Sequence, residues 1–398
     1  MDDSKLSLRL GRILAIFLAL FITIEALSRI IVVQFADAPF KSLSLYKWSP
    51  YGLVRNNPDL TSPDFLINAN GFRAIQDYQR IKPDNTFRVL LLGGSVLYSG
   101  LGGNAKLEKY GRVNSAHTIA PYLQKIMEND PAFSGAKIEV INGAVNFNRI
   151  VEISSAYLEE YIHWSPDYVV VFGSVNNFSR VRFAGEQTLQ QTTLQSPHAW
   201  RPEFERLVND YGLPASLERV WRSGAEHSAA LALSLKITSK IADYGVKISQ
   251  RGAVHPQPVE QAMETLEESK SYFNIFATYA DAMSAAAKRR NHGISFVWEP
   301  MLSDLGKIKP MSEEETRIFP AVQRSAKAVA QYDGTRKQFN AYFKKQGVAY
   351  VDPTDALKSH NQTVYIDYAH YTPEGNSFIA GVVFKSLRDG FLRHLKSK

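Results

Sequence analysis

"FRVLLLGGSV", residues 87–96, decides the fold. A short, nearly continuous apolar run closed by turn residues reads as a strand buried on both faces. The two glycines that end it allow a tight exit, which lifts the Ser95 hydroxyl above the sheet as a helix begins. Four more runs of the same kind follow: "KIEVI" (137–141), "DYVVVF" (167–172), "ISFVWE" (294–299) and "VAYV" (348–351). Apolar-periodic stretches at Thr118–Met127, Glu152–His163, Tyr272–Lys288 and Ala321–Phe343 lie between or after them. Buried strands alternating with amphipathic helices predict an α/β fold, a three-layer α/β/α sandwich around a mainly parallel five-stranded sheet.

The rest of the chain is placed around that domain. Residues 13–35, "ILAIFLALFITIEALSRIIVVQF", are apolar over a length that spans a bilayer as one helix, interrupted by Glu25 and Arg29. Lys5, Arg9 and Arg12 precede the span, so a cytoplasmic N-terminus (1–12) and an extracytoplasmic remainder are expected. "ADA" at 36–38 offers a cleaved signal peptide as the rival reading; the length of the apolar run and Pro39 favour a retained anchor that partners membrane lipid. Residues 36–80 read as a connector, 81–180 and 259–398 as the α/β domain, and 181–258 as a helical insertion. That insertion reads either as a cap packed on the core or, through Lys236, Lys240, Lys247 and Arg251, as a lid or membrane-facing surface.

Composition narrows the function. The chain has 398 residues, 45% hydrophobic and 21% charged, with a net charge of +7 spread along its length. It lacks basic runs, zinc-finger spacing and RNA-binding signatures, which argues against a nucleic-acid partner. Cysteine is absent, which excludes disulfides and thiolate chemistry. No ligand cluster for a metal is visible in the sequence, and no cofactor is expected.

Open α/β sheets place ligands at the carboxyl ends of their strands, and the candidate residues gather there. Ser95, with Gly94 before it, follows the first run. "NGAVN" (142–146) follows the second, with Gly143 and Ala144 small enough to let backbone N–H groups approach a substrate. "GSVNNF" (173–178) follows the third and offers the Asn176 and Asn177 amides as donors to a developing oxyanion. Glu299 follows the fourth and is placed at the pocket edge by topology alone. Near the end, "YIDYAHYTPEGN" (365–376) sets Asp367 one turn before His370, close enough to fix the imidazole tautomer. Thr372 and Pro373 then start a helix. Each piece has an ordinary alternative as a glycine turn, an asparagine turn or a helix cap; their order along the chain is what is informative.

That order resembles the SGNH/GDSL hydrolases, and its wording resembles a membrane-anchored bacterial subgroup of them. The matching stretches are "NANGFR" (68–73), "GGSV" (93–96), "NGAV" (142–145), "SVNN" (174–177) and "DYAH" (367–370). The resemblance implies a Ser95 nucleophile, a His370 base, an orienting Asp367, and an oxyanion hole of the Ser95 N–H, the Ala144 N–H and the Asn176 side chain. Ala144, Ser174 and Asn177 depart from the family pattern of glycine, glycine and aspartate. The implied activity is a serine esterase acting on acyl groups of a cell-envelope or secreted polysaccharide. The same triad used for O-acetyl transfer to a sugar is the alternative. A non-catalytic polysaccharide-binding or assembly protein, with Trp200, Tyr211 and Trp221 as stacking surfaces, is a further one.

Overall fold

Five apolar runs become five parallel strands. The computed structural model describes residues 16–28, 46–49, 53–58, 61–62, 65–99, 113–146, 148–178, 266–306, 308–324 and 326–397. The strands are β1 (Thr86–Gly93), β2 (Lys137–Asn142), β3 (Tyr168–Phe172), β4 (Gly293–Val297) and β5 (Ala349–Val351), and they lie in the order β2-β1-β3-β4-β5. All four neighbouring pairs are parallel. Strand order reverses beside β1, between the β1–β2 and β2–β3 connections, and such switch points open crevices at the carboxyl edge.

Alternate side chains face two helical layers, as the pleat requires. Phe87 and Tyr168 point to one face, where both rings meet Phe391 of the last helix, α10 (Pro373–Lys396). Phe296 points to the other, against Phe276 of α5 (Leu266–Arg289) and Phe343 of α8 (Ala326–Gln346). The other α-helices around the sheet among the described residues are α1 (Ser95–Tyr98), α2 (Ile119–Glu128), α3 (Ile150–Glu159), α4 (Ser174–Phe178), α6 (Leu302–Leu305), α7 (Glu313–Val322) and α9 (Thr354–Leu357). The amphipathic stretch expected at 321–343 lies almost wholly in α8; its first two residues end α7, which stops at Gln323, where ψ of 139° leaves the helical region.

The chain divides into two units. One holds Lys47–Pro58, Pro63–Ser196 and Gln257–Lys398, and includes the whole sheet. The other holds Met1–Tyr46, Asp59–Ser62 and Pro197–Pro256. Within the latter, residues 16–28 are helical and expose Ile16, Phe17, Leu18, Leu20, Phe21, Ile22, Ile24 and Leu27. The rest of the expected 13–35 span, and all of 181–258, lie outside the described residues. Among the described residues no helix is long and apolar enough to cross a membrane.

Of the expected 36–80 connector, residues 47–58 and 63–80 belong to the sheet-bearing unit. Ile67, Phe72, Arg73, Ala74 and Tyr78 are buried, and the Phe72 ring packs against Tyr161 and Trp164. "NANGFR" is a turn closed by the Asn68 carboxamide, whose Oδ1 accepts from the Asn70 and Phe72 N–H groups. Gly71 takes φ +82°, a conformation that favours glycine. Polar content disguised this segment as a linker, although the turn exists to bury the Phe72 and Arg73 that follow it.

Candidate active site

β1 ends at Gly93, and Gly94 caps α1, so Ser95 is the first residue of a short helix at the switch point. Gly94 is needed here for close approach. A Cβ on it would clash with Asn176 Nδ2 and stand 3.0 Å from the Asn148 carbonyl. The far end of α1 is held by Arg73, a buried guanidinium that donates to the carbonyls of Tyr98, Ser99 (2.8 Å) and Val113. Asn142, at the end of β2, donates from Nδ2 to the Leu97 carbonyl at 3.2 Å. The turn that bears Ser95 is thus braced by both the "NANGFR" and "NGAV" segments.

The histidine segment reaches the same edge from the far end of the chain. The Asn376 carboxamide, on the first turn of α10, exchanges contacts with the Ser99 hydroxyl at 3.1 and 3.3 Å across 277 residues of sequence. It also donates to the His117 carbonyl at 2.9 Å. Tyr365 Oη donates to the Pro300 carbonyl (2.8 Å), and the Leu302 N–H donates to the Tyr368 carbonyl (2.9 Å). Behind the segment, the fully buried Lys309–Glu315 pair (2.5 Å) holds its entry, with Glu315 Oε1 accepting from the Val364 and Tyr365 N–H groups.

Within that frame Asp367 and His370 form a dyad. His370 Nδ1 lies 2.8 and 3.0 Å from the two Asp367 oxygens, while the Ala369 and His370 N–H groups donate to Oδ1 at 2.9 and 2.8 Å. Burial pushes the Asp367 carboxyl up, but the His370 charge, its hydrogen bond and the two backbone donors outweigh burial and hold it below the usual carboxylate range. A carboxylate on Nδ1 selects the tautomer whose Nε2 is an acceptor. His370 Nε2 is buried and makes no hydrogen bond, so no Ser95–His370 bond is formed in this state. Ser95 and His370 are 8% and 4% exposed.

The remaining sequence-predicted residues divide. Asn176 stands over Gly94 and donates from Nδ2 to the Asn148 carbonyl at 3.0 Å, which fixes its amide beside the turn that bears Ser95. Ala144 is corrected as a free donor. Its N–H closes an Asx turn on Asn142 Oδ1 (3.1 Å), and its carbonyl accepts from Asn56 Nδ2 (3.0 Å). The neighbouring Gly143 and Val145 N–H groups are bound to the Leu91 and Gly93 carbonyls. Asn177 is an internal tie, donating to the Gly173 carbonyl and accepting from the Ile150 N–H at 3.3 Å.

Glu299 is 2% exposed and does more than edge a pocket. Its Oε2 accepts from the Val175 N–H (2.9 Å) and the Ser174 hydroxyl (3.3 Å), while its own N–H donates to Ser174 Oγ (2.8 Å). Burial pushes its carboxyl up to about 7, against the pull of those donors and of the His370 charge. A largely apolar cavity of about 590 Å³ opens next to it beyond the ends of β4 and β5, lined by Trp298, Pro300, Met301, Tyr332 and Thr354 among others. Sequence reasoning gave no role to Arg73, Asn142, Asn148, Ser99 or Asn376. Arg73 and Asn142 lie inside quoted motifs, but their partners lie elsewhere in the chain.

No family model and no curated protein matches the chain. Among solved structures it is similar to an acetylxylan esterase from Geobacillus stearothermophilus, at 13% identity and a TM-score of 0.37 over 77% of this chain and 96% of that one. It is also similar to an α/β hydrolase enzyme from the metagenome of Lake Arreo, Spain, at 12% identity, a TM-score of 0.37 and the same coverage. A third is a G-D-S-L family lipolytic protein from Desulfitobacterium hafniense DCB-2, at 10% identity and a TM-score of 0.38 over 76% of this chain and 100% of that one.

Proposed function

We propose that the chain is a serine esterase of SGNH type, held at a membrane by residues 13–35, that hydrolyses acyl esters on a cell-envelope or secreted polysaccharide. The observation that carries this reading is the Asp367–His370 dyad. It presents an unpartnered imidazole nitrogen on a segment tied through Asn376 to the turn that bears Ser95. Ser95 Oγ attacks the ester carbonyl as its proton passes to His370 Nε2, and the Nδ1–H of the imidazolium donates to Asp367. Negative charge developing on the carbonyl oxygen is met by the Ser95 N–H and Asn176 Nδ2, with Ala144 serving the turn instead. Collapse expels the alcohol with the His370 proton, and water activated by the same imidazole then releases the acid from Ser95. Catalytic hydrogen bonds are often unformed without substrate and tighten as it binds, which suits the open Nε2.

Fluorophosphonate labelling tests the reading. The parent is labelled on Ser95, and Ser95→Ala and His370→Ala lose labelling and hydrolysis of p-nitrophenyl acetate together. Labelling that persists in Ser95→Ala refutes it. Product analysis with an O-acetylated oligosaccharide then shows whether acetate is released to water.

A further inference from the structure

Glu299 occupies a position that joins the two halves of the site. On one side, its carboxylate and backbone N–H clasp Ser174 and Val175, at the start of the turn that delivers Asn176. Ser174, a departure from the family pattern, is accounted for by this clasp, since its hydroxyl both donates to and accepts from Glu299. On the other side, the residues directly after Glu299 bind the histidine segment, through the Pro300 carbonyl to Tyr365 and the Leu302 N–H to Tyr368. The Glu299 carbonyl itself accepts from Tyr332 Oη at 2.5 Å. A carboxylate buried this deeply carries a large desolvation cost, and a glutamine or an apolar residue would fill the space without it. The groups whose charges bear on the Glu299 carboxyl are the His370 imidazole and the Tyr332 and Tyr371 phenols; burial holds both phenols neutral.

We propose that Glu299 is a positioning residue, fixing the Asn176 turn through Ser174 and Val175 while the residues directly after it hold the histidine segment. This rests on the esterase reading above. The clasp keeps Asn176 at the place where the carbonyl oxygen acquires charge. Asn176 meets charge that develops only in the transition state, so the clasp acts on kcat rather than on substrate affinity.

The experiment compares the full chain with Glu299→Gln and Ser174→Gly, using p-nitrophenyl acetate for kcat and KM across pH 5–9 and a fluorophosphonate for Ser95 labelling. Glutamine keeps one acceptor oxygen but no charge, and exchanging charged for neutral hydrogen bonds to Ser174 and Val175 corresponds to a drop of ~10-fold. Glu299→Gln is therefore expected to lower kcat by about that factor with KM within about twofold, and to remove one ionisation from the kcat profile. Ser174→Gly is expected to lower kcat less and to keep the parental profile, since it loosens the turn and leaves the charge. Parental kcat and profile in Glu299→Gln overturn the proposal and leave the esterase reading standing. If thermal melting shows that Glu299→Gln does not fold, Ser174→Gly decides, and an unchanged kcat there overturns it. A parent with no Ser95-dependent labelling or hydrolysis removes the esterase reading and this proposal with it.

Discussion

Replacing Glu299 by glutamine removes one ionisable group from the interior with almost no change of size, and its effect on stability has a definite sign. Burial raises the carboxyl from 4.5 to about 7 in the folded chain. Below 4.5 the group is protonated both folded and unfolded. Between 4.5 and about 7 the unfolded chain has released a proton that the folded chain still holds, so folding becomes less favourable as pH rises. Above about 7 that loss is complete. A gap of about 2.5 pH units at ~1.4 kcal/mol each gives roughly 3 kcal/mol, as an upper figure for a group hydrogen-bonded to Ser174 and Val175. Glu299→Gln does not incur this loss, so its stability relative to the parent should improve by up to about 3 kcal/mol between pH 4.5 and 7.5. Urea unfolding followed by tryptophan fluorescence at several pH values measures the difference, in which the other titrating groups largely cancel. Repeating the pair in a His370→Asn background isolates the contribution of that neighbour. A difference that stays constant across the window, or moves the other way, refutes the claim that Glu299 is a desolvated carboxyl.

Three further outcomes follow from the geometry. Asn176→Ala removes the proposed side-chain oxyanion donor and should lower kcat by about 10²–10³-fold with KM little changed, measured by steady-state hydrolysis of p-nitrophenyl acetate; a rise in KM alone contradicts the assignment. Gly94→Ala drives a methyl group into the Asn176 amide and should destabilise by about 1–3 kcal/mol while slowing fluorophosphonate labelling of Ser95. Lys309→Met strands the buried Glu315 carboxylate and should cost about 3–5 kcal/mol in thermal or chemical unfolding. In that variant, amide exchange should rise first at Val364 and Tyr365, whose N–H groups Glu315 accepts.

The strands were legible because burial on both faces leaves few choices of residue, and each expected run overlaps the strand found there. Helix boundaries were less so. A hydrophobic stripe marks a face, whereas the break between α7 and α8 depends on the local backbone at Gln323. The "NANGFR" stretch shows the opposite error. Its asparagines and glycine resemble a linker because turns and linkers share a composition, and only the packed positions of Phe72 and Arg73 separate the two. At the candidate site, Ser95 and Asn176 were singled out by residue type and placement after strands, and Asp367 and His370 by their spacing of one turn. That the Ala144 N–H is spent on Asn142, and that Ser174 answers Glu299, was not, because a hydrogen bond depends on orientation.

The sequence alone determined the sheet, the order of the candidate residues along it and the local Asp367–His370 pairing, since each follows from periodicity or from neighbours within one turn. The tertiary structure decided what joins them. Ser99 with Asn376, Ser174 with Glu299 and Arg73 with the carbonyls beyond α1 connect segments far apart in the chain. Those pairings need two distant backbones held in register, and that register is set by the packed sheet and not by the residues that meet across it.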